Sequence, residues 1–233
     1  MPDEADDAAP DRATNAALLS GAAKTFERAD ALVEQLSRVF RDQIRRALGV
    51  ELDDTVTSLA FVDHYLHQAR SEERDSILAL VAAGAGAYYG ELVRREAGGT
   101  WIGDGSDPRT LRLLLRPQFL YFSPIDQALE AITGETLDPE DPRIPAGPVF
   151  DSAFHLEPVP PHREGDESHD SVWLEARLSE LPGVPEDQFH SLTCRFETLT
   201  LMLELLATKH LHEGRGPAEH ALEHYLHVIA TVH

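Results

Sequence analysis

The stretch ILALVAAGAGAYYGELVRREAGGTW, residues 77–101, decides how this chain folds. Its middle is apolar on every side, and Ala82, Ala83, Gly84, Ala85, Gly86 and Ala87 carry almost no side-chain bulk. Glycine inside a helix costs about 1 kcal/mol relative to alanine. A helix that keeps glycines here must let other elements approach its backbone. The stretch is therefore expected to be the central helix, from Glu72 to about Glu96, ended by Gly98-Gly99. Ile77, Leu80, Gly84 and Tyr88 should form its apolar face, with Glu91 at the margin.

Working towards the N-terminus, TVTSLAFVDHYLHQAR reads as a shorter helix that buries Leu59, Val62, Leu66 and Ala69, with Asp63 and His67 as a surface i, i+4 pair. Before it, Phe26, Ala29, Val33, Leu36, Phe40, Ile44 and Leu48 recur three or four apart with charges between them. That is the period of an amphipathic helix. Residues 1–14, rich in Asp, Ala and Pro, read as a disordered acidic tail.

Downstream the period changes. TWI, LRLLLR and FLYF are short apolar runs split by turn residues, which predicts a three-stranded antiparallel sheet near residues 100–122. Ser123-Pro124-Ile125-Asp126 supplies an N-cap, a first-turn proline and a first-turn acid for a helix over PIDQALEAI. Residues 134–170 hold seven prolines and ten acids against two arginines, a long excursion with an edge strand near Val149–Phe154. Three helices should close the chain. The first is near Val172–Leu181. The second starts at Pro185 and carries Phe189, Leu192, Phe196, Leu199, Leu203 and Leu206. The third runs from about Pro217 to Val232. The fold class is thus α+β and mainly helical: a core over 15–133, the Pro-rich acidic loop over 134–170, and a C-terminal helical layer over 171–233.

Composition limits the functions. The chain has 233 residues, 41 acids against 20 Lys and Arg, and a net charge of −21. Such a surface repels phosphate backbones and anionic lipids, so neither nucleic acid nor membrane is an expected partner, whereas a basic protein is. Cys194 is the only cysteine, so no intrachain disulfide can form. The acidic N-terminus lacks the apolar run of a signal peptide, and the uncharged run ILALVAAGAGAYYG is short for a bilayer span, so the expected location is the cytoplasm.

Several residues could carry chemistry. His220-Ala221-Leu222-Glu223-His224 spells the H-x-x-E-H pattern of inverted zincins, and His227 follows on the same stripe. Three imidazoles so spaced could share a divalent transition metal. The pattern needs a further ligand well downstream, however, and nine residues remain after His224. On a helix the three histidines oppose an apolar arc formed by Ala218, Ala221, Leu222, Tyr225, Ile229 and Val232. A solvated stripe without catalytic zinc is the reading that follows. Glu91, beside the small-residue run, is a candidate functional carboxylate or the partner of Arg94, Arg95 or an arginine of the sheet. GDGSDP matches no phosphate, dinucleotide or calcium loop. No G-x-S-x-G elbow occurs either.

Residues 77–133 resemble a module of uncharacterised bacterial α+β proteins, some similar to immunity-type proteins of toxin systems. Gly90, Glu91, Gly98, Gly99 and Trp101 carry the likeness, followed by SPIDQALEAI. It implies a helix ending in Gly-Glu, a Gly-Gly-x-Trp corner into a small sheet, and a closing helix, and it brings no catalytic residues. The expected function is that of a non-enzymatic soluble protein-binding protein, immunity-like or adaptor-like, that needs no cofactor. Asp138, Glu140, Asp141, Glu164, Asp166 and Glu167 would meet a basic protein partner. The alternatives are a metal-dependent enzyme using His and Glu side chains and an acidic mimic of nucleic acid. The apolar seam of the 186–208 helix should be covered by the 26–48 and terminal helices, or by a second copy in a homodimer.

Overall fold

The computed structural model describes residues 12–71, 74–116, 118–160, 165–216 and 220–232, with backbone alone over 12–25, 186–187 and 230–232. The protein is α+β, about 59% helical, with one small antiparallel sheet. Helix α1 spans Arg12–Leu48, α2 Leu59–Ala69 and α3 Asp75–Ala97. Residues 12–14 of the expected tail are therefore helical, while 1–11 lie outside the described residues.

Helix α3 is the centre of the molecule. Every residue from Val81 to Gly90 is buried, with α1 on one side and α4 (Pro124–Thr133) on the other. The small residues permit this. A Cβ on Gly86 would lie 2.6 Å from the Pro124 carbonyl oxygen and 2.7 Å from the Ile125 Cα. At Gly84 it would meet Phe40, and at Gly90 the Trp101 indole. Leu80, expected on the apolar face, is instead 53% exposed, because burial becomes complete only from Val81. By length and composition α3 is apolar enough to cross a membrane, although 72% of its most apolar window is buried within the protein.

Beyond Gly98 the chain enters β1 (Gly99–Ile102), then β2 (Arg112–Leu115) and β3 (Leu120–Phe122). A fourth strand, β4 (His155–Leu156), pairs with β3, so the sheet has four antiparallel strands in the order β1-β2-β3-β4 rather than three. The edge strand sits after the expected Val149–Phe154. His155 stacks on Tyr121 at 4.8 Å and Phe154 meets Phe122 edge-on at 5.0 Å. A strand of two residues has no alternation to read. Both faces of the sheet are covered, hence its almost uninterrupted apolar runs. Trp101, Leu113, Leu115 and Phe122 join the main core, whereas Ile102, Leu114 and Tyr121 form a second cluster with Tyr225 and Val228 of α8 (Leu222–Val232).

Helix α4 begins as its residues dictate: the Ser123 hydroxyl accepts the Asp126 amide at 3.2 Å, and Gly134 closes the helix at φ 73°. Helix α5 spans Asp170–Ser179. The next expected helix is broken in two, α6 (Glu186–Phe189) and α7 (Leu192–His212). The break exists because Ser191 and Asp63 cap α7. The Ser191 hydroxyl accepts the Cys194 amide at 3.1 Å, and the Asp63 carboxylate accepts the Leu192 and Thr193 amides at 2.7 and 3.1 Å. Asp63 therefore ties α2 to α7 and is not a surface mate of His67. Among the described residues the α7 seam is covered mainly by α2, α4 and α5 rather than by α1 and α8. Leu192, Leu199 and Leu206 are buried, Phe196 and Leu203 half-buried, and Phe189, on its own short helix, 48% exposed.

Candidate functional site

The terminal histidines do not form a solvated stripe. Helix α8 starts at Leu222, so His220 precedes it. The helix lies across the outer face of the sheet with Tyr225 buried, its hydroxyl accepting the Leu120 amide at 3.0 Å and facing the Leu115 and Gln118 carbonyls at 2.6 and 3.0 Å. That placement brings Phe119, in the β2–β3 turn, against Tyr225 in a stack at 4.1 Å. The same ring meets His220 at 5.5 Å and His224 at 4.7 Å. His224 Nε2 lies 3.2 Å from Glu157 Oε1, and His227 is exposed. Burial holds His220 below the ordinary imidazole pKa, although Glu157 and Asp170 pull the other way. Among the described residues no group of three His, Cys, Asp or Glu side chains is placed to hold a metal ion.

His220 lines a cavity of about 290 Å³ between α7, β4 and the start of α8, with Phe119, Leu156 and Leu206 as apolar wall and Glu157, Asp170, His210 and Arg215 as polar wall. Asp170 is its hub. Lys209 Nζ and His210 Nε2 each approach it to 2.7 Å, and Arg215 Nη2 to 3.1 Å. Burial alone would raise the Asp170 pKa. The hydrogen bonds from Lys209, His210 and Arg215 outweigh it and hold the carboxyl at about 2. The cavity thus combines a carboxylate already engaged by three donors with an imidazole whose pKa burial lowers. Among the described residues its wall contains no serine, threonine or cysteine.

Glu91 stands at the end of an open groove of about 600 Å³ between α1 and α3, where Asp30, Glu34 and Asp54 face Arg38, Arg41, Arg94 and Arg95. Its carboxylate is held by Arg94 through two hydrogen bonds of 2.8 Å and by the Trp101 indole N–H at 2.7 Å. Burial would raise its pKa, but these donors bring it below the ordinary value. Asp54, at φ 62°, pairs with Arg41 and, at 2.9 Å, with Arg95. A carboxylate engaged on three hydrogen bonds positions the α3–β1 corner.

The described part of the acidic excursion is fastened to the core at several points. Leu137 and Phe150 are buried, Glu130 accepts the Leu137 amide at 3.1 Å, and Asp126 accepts the Asp151 amide at 3.1 Å. Arg109, itself buried in an ion pair with Asp126, donates to the Pro145 carbonyl at 2.5 Å. Of the acids expected to meet a partner, Asp138, Glu140 and Glu167 are exposed. Asp141 is clasped by Arg143 at 2.7 and 2.9 Å, which holds its carboxyl at about 2. Asp166 caps the Ser168 amide at 2.9 Å, and Glu164 lies outside the described residues.

Sequence reasoning missed the buried charges. Besides Arg109–Asp126, Glu130 in α4 is 1% exposed and takes Arg195 Nη2 at 2.6 Å, with His190 Nδ1 at 3.6 Å. One signal was available. Lys209 continues the buried series Leu199, Met202 and Leu206 at helical spacing, and a lysine in a core phase implies a paired charge. No family model, no curated protein and no solved structure matches the chain.

Proposed function

We propose that this is a non-enzymatic cytoplasmic binding protein, immunity-like or adaptor-like as its resemblance to bacterial modules suggests, and that its partner is a basic protein. The observation that carries the reading is the presentation of the excursion. Asp138 and Glu140 are exposed on a segment that the buried Arg109, Asp126 and Glu130 hold against α4, and Glu167 is exposed farther along the excursion. A fixed acidic surface loses little freedom on binding, and its field speeds encounter with a basic partner. Exposed charge pairs are screened beyond about 8 Å at physiological ionic strength, so such binding should weaken steeply with salt.

The test replaces Asp138, Glu140, Asp141, Glu164, Asp166 and Glu167 with Asn or Gln and compares captures from native lysate at low and moderate salt. Loss of a salt-sensitive partner supports the reading. An unchanged set of captured proteins, or capture indifferent to salt, overturns it.

A further inference from the structure

A second surface has a different character. Where the end of α3 meets α7, a groove of about 430 Å³ is lined by Val93, Phe196, Leu199 and Leu203, with Glu96 on the α3 lip and Glu204 on the α7 lip. Its volume falls within the range of about 300–1,000 Å³ that ligand clefts occupy. Phe196 and Leu203 are left half-buried because α2, α4 and α5 cover the rest of the α7 seam. The exposed Ala207 continues the floor one turn beyond Leu203 without closing it.

Charge decides what can lie there. Among the described residues the wall holds two glutamates and no lysine, arginine or histidine. A second copy of this chain would bring its own −21 charge to those glutamates. An apolar segment flanked by Lys or Arg meets both requirements, since its apolar side chains enter the groove and its cations reach Glu96 and Glu204. This is the helix-in-groove mode of peptide recognition with acidic lips.

We propose that the α3–α7 groove docks an amphipathic basic helix of another protein. The inference rests on the protein-binding reading above but uses a surface separate from the excursion. The probe is a fluorescein-labelled synthetic Leu/Lys helix with one apolar face, titrated against the full chain at physiological salt and read by anisotropy. Controls are a shuffled Leu/Lys peptide without an apolar face and a Leu/Glu helix. Ala207→Arg places a cation and bulk in the groove at an exposed helical position, and the Glu96→Lys/Glu204→Lys pair reverses its lips. Unchanged melting temperatures establish that these variants fold.

Each change should weaken binding of the ordered peptide at least about tenfold, the size of effect expected when a central contact worth about 1.4 kcal/mol is removed. The six-site excursion variant should keep its affinity for the peptide within about twofold, because among the described residues none of its acids lines the groove. Parent-like affinity in both groove variants would overturn the proposal, as would equal binding of the shuffled peptide. So would a concentration-dependent dimer that Ala207→Arg converts to monomer, because the occupant would then be a second copy. Excursion variants that leave lysate capture unchanged while groove variants abolish peptide binding would refute the excursion reading alone.

Discussion

Replacing Gly86 with alanine separates two opposed effects. On propensity alone the change should stabilise α3 by about 1 kcal/mol, since alanine is the better helix former. Against that, the new methyl would sit 2.6 Å from the Pro124 carbonyl oxygen, 2.7 Å from Ile125 Cα and 2.8 Å from Ile125 Cδ1. Two of these three atoms belong to the α4 backbone, which cannot yield by a rotamer change. Overpacking of this kind costs about 1–3 kcal/mol, so the net result should be destabilisation of up to about 2 kcal/mol, larger for Gly86→Leu. Denaturant unfolding reads it as a lowered midpoint at unchanged slope. Truncating the third neighbour, in Gly86→Ala/Ile125→Val, should not restore stability, because the backbone atoms remain. A Gly86→Ala protein about 1 kcal/mol more stable than the parent would refute the close α3–α4 approach. Rescue by Ile125→Val would instead place the clash in a side chain.

Glu91→Gln should lower stability by about 1 kcal/mol through its weakened hold on Arg94 and Trp101, discounted for partial exposure, and leave lysate capture unchanged. Altered capture with intact stability would mark Glu91 as functional. Tyr225→Phe strips a buried amide and carbonyls of their partner and should cost about 1–3 kcal/mol, seen as faster amide exchange over 222–229 and at Leu120 than over α3. Protein purified without a metal column should carry well under one equivalent of zinc, whereas a chelator-resistant stoichiometric metal lost in His220→Ala/His224→Ala would revive the enzyme alternative. Burial lowers the folded-state pKa of His190 and His220, so the unfolded chain binds more protons as pH falls. Stability from these two should be intact above about pH 6.5 and decline as pH drops from there through their folded values. A midpoint flat from pH 7.5 to about 5 would contradict that sign.

What was legible in the sequence was whatever repeats locally. The glycines and alanines of 82–87 announce a helix with close neighbours, and Phe26 to Leu48 shows its buried face three or four residues at a time. Ser123 and Pro124 mark the start of α4 through residue chemistry alone. The errors share one cause, long-range partnership. His155–Leu156 is a strand only because β3 lies beside it. The α6–α7 break at His190-Ser191 depends on Asp63, 129 residues away from the Leu192 amide it receives. Asp63 has an apparent local partner in His67, and the structure uses it elsewhere.

The same logic governs the site. An apolar helix face can be read from spacing because burial needs only a side of the helix, but charge compensation needs a named partner. Asp170 gathers Lys209, His210 and Arg215 across about forty residues, and Tyr225 finds the Leu120 amide across 105. No local pattern encodes either pairing. On a helix wheel His220, His224 and His227 fall on the side away from Tyr225 and suggest a wet stripe. The sheet does not respect that division, because Phe119 reaches around the helix end and takes two of the three rings. A stripe of histidines is therefore a statement about one helix, whereas a metal site is a statement about the convergence of several elements. Here the elements converge on Asp170, whose ligands are ammonium, guanidinium and imidazole groups. A carboxylate so saturated with hydrogen bonds fastens α5 to α7.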